Sequence, residues 1–174
     1  MLIRPAIWLL TLAYPWLWYH GHGARALACL MVAAWLLRAL LAARRAVRLG
    51  ALALAAYFTA TTLLDNKNAL TLYPLIINAT LLIAFTASLI HPPSAIERLA
   101  RLQHPDLPPA GVAYTRRVTQ IWCGFFILNG GIIATLSLIG AERAWALYTG
   151  VISYIFMGLL LAGEWLYRRY RLKT

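Results

Sequence analysis

The sequence predicts an all-α membrane protein, a single domain built as a bundle of about six transmembrane helices, and three observations support this. The chain of 174 residues is 62% hydrophobic and only 12% charged, whereas soluble domains usually contain about 25% charged residues. Its apolar residues form long continuous runs, and most Lys and Arg residues lie in short clusters between those runs. Because so few polar side chains are available to cover a water-facing surface, much of the surface is expected to face lipid.

Six apolar runs each come close to the length of about 20 residues that crosses a bilayer as a helix. Helix is the expected form because lipid offers no hydrogen-bond partners to backbone N–H and C=O groups. A β-barrel would need alternating strands of about ten residues, whereas these runs are continuous. The third run is the shortest and would also fit a half-span or a packed inner helix. The predicted spans are residues 2–19, 25–43, 49–64, 72–90, 118–139 and 145–167.

The distribution of positive charge predicts that both termini lie on the cytoplasmic side, because Lys and Arg are enriched in inner loops. With six spans and an inner N-terminus, only Arg25, Lys67 and Arg143 fall outside, and Arg38 falls within the second span. Removing the third span would place the basic clusters on opposite sides, so charge favours six spans over five. The residues on the inner side are Arg4, Arg44, Arg45, Arg48, Arg98, Arg101, Arg116, Arg117, Arg168, Arg169, Arg171 and Lys173.

Aromatic residues gather near the predicted ends of the spans. Tyr73 starts the fourth span, Trp145 starts the sixth, and Trp165, Tyr167 and Tyr170 end the sixth. Rings with a polar edge favour the boundary between lipid and water. The pattern therefore predicts an interfacial aromatic belt.

The longest loop, residues 91–117, is predicted on the inner side and contains a short amphipathic helix. Ser94 and Glu97 have the spacing of a capping box. Two arrangements stay equally open. The helix lies on the inner leaflet, with Arg98 and Arg101 at anionic headgroups, or it docks on the protein's own inner surface. The expected faces are Ile96, Leu99, Ala100 and Leu102 on the apolar side, and Glu97, Arg98 and Arg101 on the polar side.

Four polar residues outside this loop are candidate functional positions, although each also has a structural interpretation. Asp65 and Lys67 lie in the predicted outer turn, which could contact a headgroup or a partner protein or be only a solvated turn. Asn78 and Asn129 lie within spans four and five, where an amide seeks a partner on another helix. Hydrogen bonding between helices is favoured over a polar binding site for these two amides.

Two charged residues, Arg38 and Glu164, lie inside predicted spans and are functional candidates for that reason. Both are near the inner ends of their spans, so reaching toward the interface is favoured over a catalytic or proton-relay role. Arg168 lies one turn after Glu164 as a favourable partner. An enzyme using Asp65 and Glu164 as acid and base would need them to converge, yet they are predicted on opposite sides of the membrane.

Small residues four positions apart occur twice in the last two spans, at Gly130 with Ala134 and at Gly158 with Ala162. Small side chains let helix backbones approach closely in membranes. Close packing of spans five and six, or self-association, is the expected consequence.

Catalytic, metal and cofactor motifs are missing from the sequence. There is no G-x-S-x-G, HExxH, P-loop or Gly-rich dinucleotide motif, and the five carboxylates are scattered. His20 and His22 alone make a poor metal site because structural zinc takes four ligands. Cys29 and Cys123 lie in apolar runs and predict no disulfide. The sequence therefore predicts a non-enzymatic protein without metal or cofactor, and the net charge of +11, divided among short clusters, predicts no nucleic-acid binding.

The second half of the chain carries an ordered series of motifs. The polar turn Asp65-Asn66-Lys67 precedes a span, the segment PPSAIER at 92–98 follows it, and the segment WCGFFILNG at 122–130 comes next. This order resembles the bacterial intracellular septation protein A family, with its lysine-containing outer turn, its inner loop of the P-x-I-x-R type and its W-x-x-F-F-I-x-x-G span. The first half matches only in hydropathy, which is also compatible with a sister group of bacterial inner-membrane proteins.

The resemblance implies a role in cell-envelope maintenance, division or peptidoglycan synthesis at the bacterial inner membrane, and it carries over no catalytic residue. The leading hypothesis is a non-enzymatic envelope factor that acts through membrane and protein contacts. The alternative is a lipid-handling protein, either a small transporter or flippase-like element or a partner of a fatty-acid or polyene lipid pathway. Expected partners are the bilayer, anionic lipids, division or envelope-synthesis proteins, and a second copy of the chain.

Overall fold

The computed structural model describes residues 24–64 and 71–172, and within these ranges every regular element is a helix. The all-α class predicted from the sequence is confirmed for this part of the chain. The predicted first span, with His20 and His22, and the predicted outer turn, with Asp65 and Lys67, lie outside the described residues. The elements are α1 (Ala24–Leu40), α2 (Arg45–Leu63), α3 (Tyr73–Ile90), α4 (Ala95–Arg101), α5 (Pro109–Leu138), α6 (Glu142–Leu147) and α7 (Ser153–Tyr167), with π-helical turns at Tyr148–Ile152 and Arg168–Leu172.

Three described helices are long and apolar enough to cross a membrane. They are Tyr73–Ile90, Pro109–Leu138 and the continuous helix Glu142–Tyr170, which contains α6 and α7. These helices overlap the predicted fourth, fifth and sixth spans. The second and third predicted spans are helical too, but their apolar stretches, Ala28–Leu40 and Val47–Leu63, are shorter.

Large apolar side chains are exposed along all three long helices. Ile83 of α3 is 69% exposed, Leu128 of α5 is 70% exposed and Leu159 of α7 is 63% exposed. Soluble proteins rarely expose continuous apolar surface of this kind. The exposed leucines and isoleucines are therefore suited to a lipid environment.

The α5 helix begins at Pro109, well before the predicted start of the fifth span at residue 118. Proline fits the first turn of a helix because the N–H that it lacks would have no partner there. The prediction of a loop over residues 91–117 is therefore wrong for residues 109–117, which belong to α5. The segment between α4 and α5 spans only residues 102–108.

The described residues form two compact units, and the first contains residues 24–64, 71–73 and 136–154. In this unit α1 packs against α2. Ala28, Met31, Trp35 and Ala39 of α1 are buried, and their spacing of three and four residues places them on one helical face. These four side chains therefore form the buried face of α1.

Two aromatic residues of the predicted interfacial belt are buried in the first unit. Tyr73 is 2% exposed and Trp145 is 1% exposed. The Tyr73 ring lies 4.8 Å from the ring of Phe58, and the Trp145 indole N–H donates to the carbonyl oxygen of Thr71 at 3.1 Å. A ring with one polar atom can be buried when that atom finds a partner, as the Trp145 indole does, and an interfacial depth stays a prediction for both residues.

The second unit contains residues 74–135 and 155–172. Its core is a cluster of Val118, Trp122 and Phe126, all on one face of α5. The Phe85 ring of α3 packs edge-on against Phe126 at 5.2 Å. Partly buried side chains that surround the cluster include Leu82, Ile96, Tyr114, Phe125, Met157 and Leu160. This core holds together the elements that position the polar groups described next.

Candidate functional site

Asn78 of α3 and Asn129 of α5 are hydrogen bonded to each other inside the second unit. The Asn129 side-chain amide donates to Asn78 Oδ1 at 2.9 Å, and the Asn78 amide donates to the backbone carbonyl of Phe126 at 2.5 Å. The two residues are only 6% and 5% exposed. The hydrogen bond between helices that the sequence favoured is therefore present, and it engages both amides.

Gly130 allows this close contact between α3 and α5. A Cβ atom at Gly130 would lie 2.6 Å from Asn78 Nδ2, whereas a Cβ at Gly131 would meet nothing within 4 Å. Gly130 therefore packs against α3, and not against the sixth span as the small-residue pair predicted. A Cβ atom at Gly158 of α7 would also meet nothing within 4 Å, so the small size of that residue is not needed for packing inside the described part of the chain.

The loop helix α4 begins with the predicted pairing of Ser94 and Glu97. The Ser94 backbone N–H donates to Glu97 Oε2 at 3.3 Å, which is one half of a capping box. The helix docks on its own unit, because the backbone N–H of Ala95 donates to Ser88 Oγ at 2.8 Å and that of Ile96 donates to Thr119 Oγ1 at 3.3 Å. Docking on the protein itself is thus the arrangement observed.

The predicted division of α4 into an apolar and a polar face holds for Ile96, which packs against the core cluster, but burial does not follow it at Glu97, Leu99 and Leu102. Glu97 is buried at 6% exposure, whereas Leu99 and Leu102 are 58% and 80% exposed. A buried carboxylate is tolerated because Arg101 donates to Glu97 Oε1 from Nε at 2.9 Å and from Nη2 at 2.8 Å, which compensates the loss of hydration. The exposed leucines, not the arginines alone, form the outward surface of this helix.

Arg98 and Arg101, the predicted headgroup contacts, both hydrogen bond to the loop backbone. Arg98 donates to the carbonyls of Pro93 at 2.8 Å and His91 at 3.3 Å. Arg101 donates to the carbonyl of Pro105 at 2.9 Å. These contacts close the loop around α4, and contact with lipid headgroups stays a prediction for both residues.

Glu164 lies near the end of α7 between two partners in the second unit. Arg168 Nε donates to Glu164 Oε1 at 2.9 Å, which is the pair expected from the spacing of four residues. The Tyr114 hydroxyl of α5 donates to the same oxygen at 3.3 Å, and the Tyr114 ring stacks on Tyr167 with centroids 5.7 Å apart and planes 5° apart. Glu164 therefore orients Arg168 and links α7 to the first turns of α5.

A basic, aromatic pocket of about 330 Å³ lies beside this cluster and is lined by His104, Trp165, Arg168 and Arg169. The Arg169 guanidinium carbon lies 5.2 Å from the centre of the Trp165 ring, within the range of a cation–π contact. Trp165 is 49% exposed, as expected for an interfacial aromatic. The sequence did not predict this pocket, because His104 lies in a loop about sixty residues before the other three residues.

The remaining predicted positions do not line this pocket. Arg38 is partly buried in the last turn of α1, in the first unit. Cys29 and Cys123 are both free thiols. Among the residues that the structure describes, no group of three or more His, Cys, Asp or Glu side chains could hold a metal ion.

Comparison with known proteins finds no family model, no curated protein and no solved structure that matches the chain. Its function is therefore inferred from its own residues and their geometry.

Proposed function

We propose that the chain is a multi-pass protein of the bacterial inner membrane, with six spans and both termini inside. We further propose that it is a non-enzymatic component of the cell envelope, similar in role to septation and envelope-integrity factors. In this role it acts through contacts of its helices with the membrane and with division or envelope-synthesis proteins. A second copy of the chain is one such partner.

The observation that best supports this proposal is that the side-chain amides of Asn78 and Asn129 are hydrogen bonded to each other. Two amides that face each other between α3 and α5, with Asn78 also bound to the Phe126 carbonyl, join two helices instead of presenting donors to a substrate. Glu164 is likewise held by Arg168 and Tyr114, which supports a structural role over proton transfer. Polar groups used in this way favour a scaffold built for packing.

The lipid-handling alternative retains one observation in its favour, the basic pocket at the end of α7. Two arginines and an exposed tryptophan there are side chains that suit the membrane interface. This supports contact with lipid, or partnership with a lipid pathway, more than it supports transport, because the amides of the helix interior are already paired.

Complementation of a strain that lacks the gene tests the scaffold role. Cell length and survival of osmotic shock are measured for variants Asp65→Asn, Lys67→Gln, Asn129→Leu and Glu164→Gln, each checked for equal amounts in the membrane. A scaffold predicts graded losses, because each substitution removes one contact among many. Complete loss of function from Glu164→Gln alone, at normal abundance, would show that one side chain carries chemistry and would overturn the proposal.

A further inference from the structure

The pocket lined by His104, Trp165, Arg168 and Arg169 concentrates positive charge in a small space. Of its two guanidinium groups, that of Arg168 is paired with the Glu164 carboxylate, whereas that of Arg169 lies over the Trp165 ring, so the pocket keeps a net positive charge. Arginine binds phosphate well because its planar set of N–H donors matches the oxygens of the anion. The charge and the donor type both point to an anionic phosphate group.

The two arginines are held in place before any ligand arrives. Glu164 fixes Arg168 through its Nε atom at 2.9 Å, and the Trp165 ring lies under the Arg169 guanidinium at 5.2 Å. Tyr114 steadies Glu164 in turn through its hydroxyl group. Holding long side chains in position lowers the conformational entropy that binding would otherwise cost.

The surroundings of the pocket favour a lipid over a soluble phosphate. Trp165, Arg168 and Arg169 lie at the end of the long apolar helix Glu142–Tyr170. Leu161, one turn before Trp165, is 53% exposed, so an acyl chain can lie along the helix while its headgroup reaches the pocket. A volume of about 330 Å³ is at the lower end of ordinary small-ligand sites, which suits a headgroup and not a whole lipid.

We propose that this pocket binds the phosphate group of an anionic phospholipid, with Arg169 and Arg168 as the donors and Trp165 at the level of the glycerol backbone. The inference requires a chain embedded in a membrane, but it does not depend on a role in septation. A failure of complementation and a failure of lipid binding are therefore separate results.

Native mass spectrometry of the full-length protein in mild detergent tests the site, with phosphatidylglycerol as the probe. We expect one phosphatidylglycerol to bind, and Arg169→Gln to weaken that binding about tenfold, as the loss of a hydrogen bond from a charged donor predicts. His104→Gln, a change in the exposed loop before α5, is a second variant and should weaken binding in the same direction. Arg117→Gln removes the same charge from an exposed position on α5 and is the matched control.

Three results would overturn the proposal. Equal weakening by Arg169→Gln and Arg117→Gln would show general attraction of anionic lipid to a basic surface. If no phosphatidylglycerol stays bound to the protein, the pocket is not a lipid site. Retention of inorganic phosphate as strongly as phosphatidylglycerol, in a parallel titration, would show a site for a soluble anion instead of a lipid.

Discussion

Asn78 is the residue on which the polar contact between α3 and α5 depends, because it donates one hydrogen bond and accepts another across the two helices. Hydrogen bonds between membrane helices contribute about 0.6 kcal/mol on average, since the unfolded chain in the membrane also finds partners. The contribution of the pair is therefore modest in energy. Its larger effect is to define which faces of α3 and α5 meet.

Replacing Gly130 by alanine tests this contact, because the change adds a single methyl group beside Asn78. Gly130→Ala would place a Cβ atom 2.6 Å from Asn78 Nδ2, so Asn78 must move and its hydrogen bonds must lengthen. We expect a loss of about 1–3 kcal/mol in the free energy of unfolding, the usual cost of overpacking. Unfolding in mixed detergent, followed by circular dichroism, measures this loss.

Gly131→Ala is the matched control for that measurement. The same methyl group at Gly131 meets nothing within 4 Å, and replacing glycine by alanine inside a helix ordinarily stabilises it by about 0.5–1 kcal/mol. If the two alanine variants prove equally stable, the close approach of Asn78 to Gly130 is wrong.

The role of a single residue could be predicted from the sequence where that role follows from the residue and its neighbours along the chain. An amide inside an apolar run needs a partner on another helix, so the pairing of Asn78 and Asn129 was predictable in kind. The distinction between Gly130 and Gly131 was not, because it depends on which face of α5 meets Asn78. The pocket around Arg169 was missed for a similar reason, since only the fold brings His104 to the end of α7.

The short helix α4 shows how tertiary contacts override a pattern at the scale of an element. Its sequence places four apolar residues on one face, yet Glu97 is buried beside the partly buried Ile96, while Leu99 is exposed. Seven residues give too few turns for periodicity to decide the buried face. The carboxylate of Glu97 decides it instead, because it can bind both the Ser94 N–H and Arg101.

Glu97→Gln is expected to loosen α4. The change removes the negative charge that Arg101 faces and weakens the acceptor for the start of the helix. Since the Arg101 side chain is 39% exposed, water screens part of the pair, and we expect a destabilisation of about 1 kcal/mol. Limited digestion with trypsin should then cleave after Arg98 and Arg101 several times faster, because local unfolding exposes these bonds.

Asp106→Asn is the control for the digestion experiment. It removes the same charge from an exposed residue between α4 and α5 that lies outside the capping interactions. Equal rates of cleavage for Glu97→Gln and the unaltered protein would contradict the assigned role of Glu97 at the start of α4.

At the scale of the whole molecule, composition and charge predict the class of the protein better than its details. Long apolar runs were enough to predict helices, and the described ranges contain helices with no strands. The ends of helices were harder to predict, as the start of α5 at Pro109 shows. A helix can continue through a polar segment beyond the lipid boundary. Hydropathy indicates whether a segment faces lipid or water, but it does not indicate the backbone conformation of that segment.

The central claim for the whole molecule is that the chain crosses the membrane six times with both termini inside. Positive charge supports this arrangement, since twelve of the sixteen Lys and Arg residues then lie on the inner side. The described helices supply three candidate spans. The number six depends on the shorter α1 and α2 and on the predicted first span at residues 2–19, which lies outside the described residues.

Paired reporter fusions test this claim most directly, with alkaline phosphatase active only outside the membrane and green fluorescent protein fluorescent only inside. Fusions after Arg44, His104 and Thr174 are predicted to fluoresce, and fusions after Lys67 and Gly140 are predicted to show phosphatase activity. Fluorescence from both the Arg44 and the Lys67 fusions would mean that α2 does not cross, and the six-span account would be contradicted.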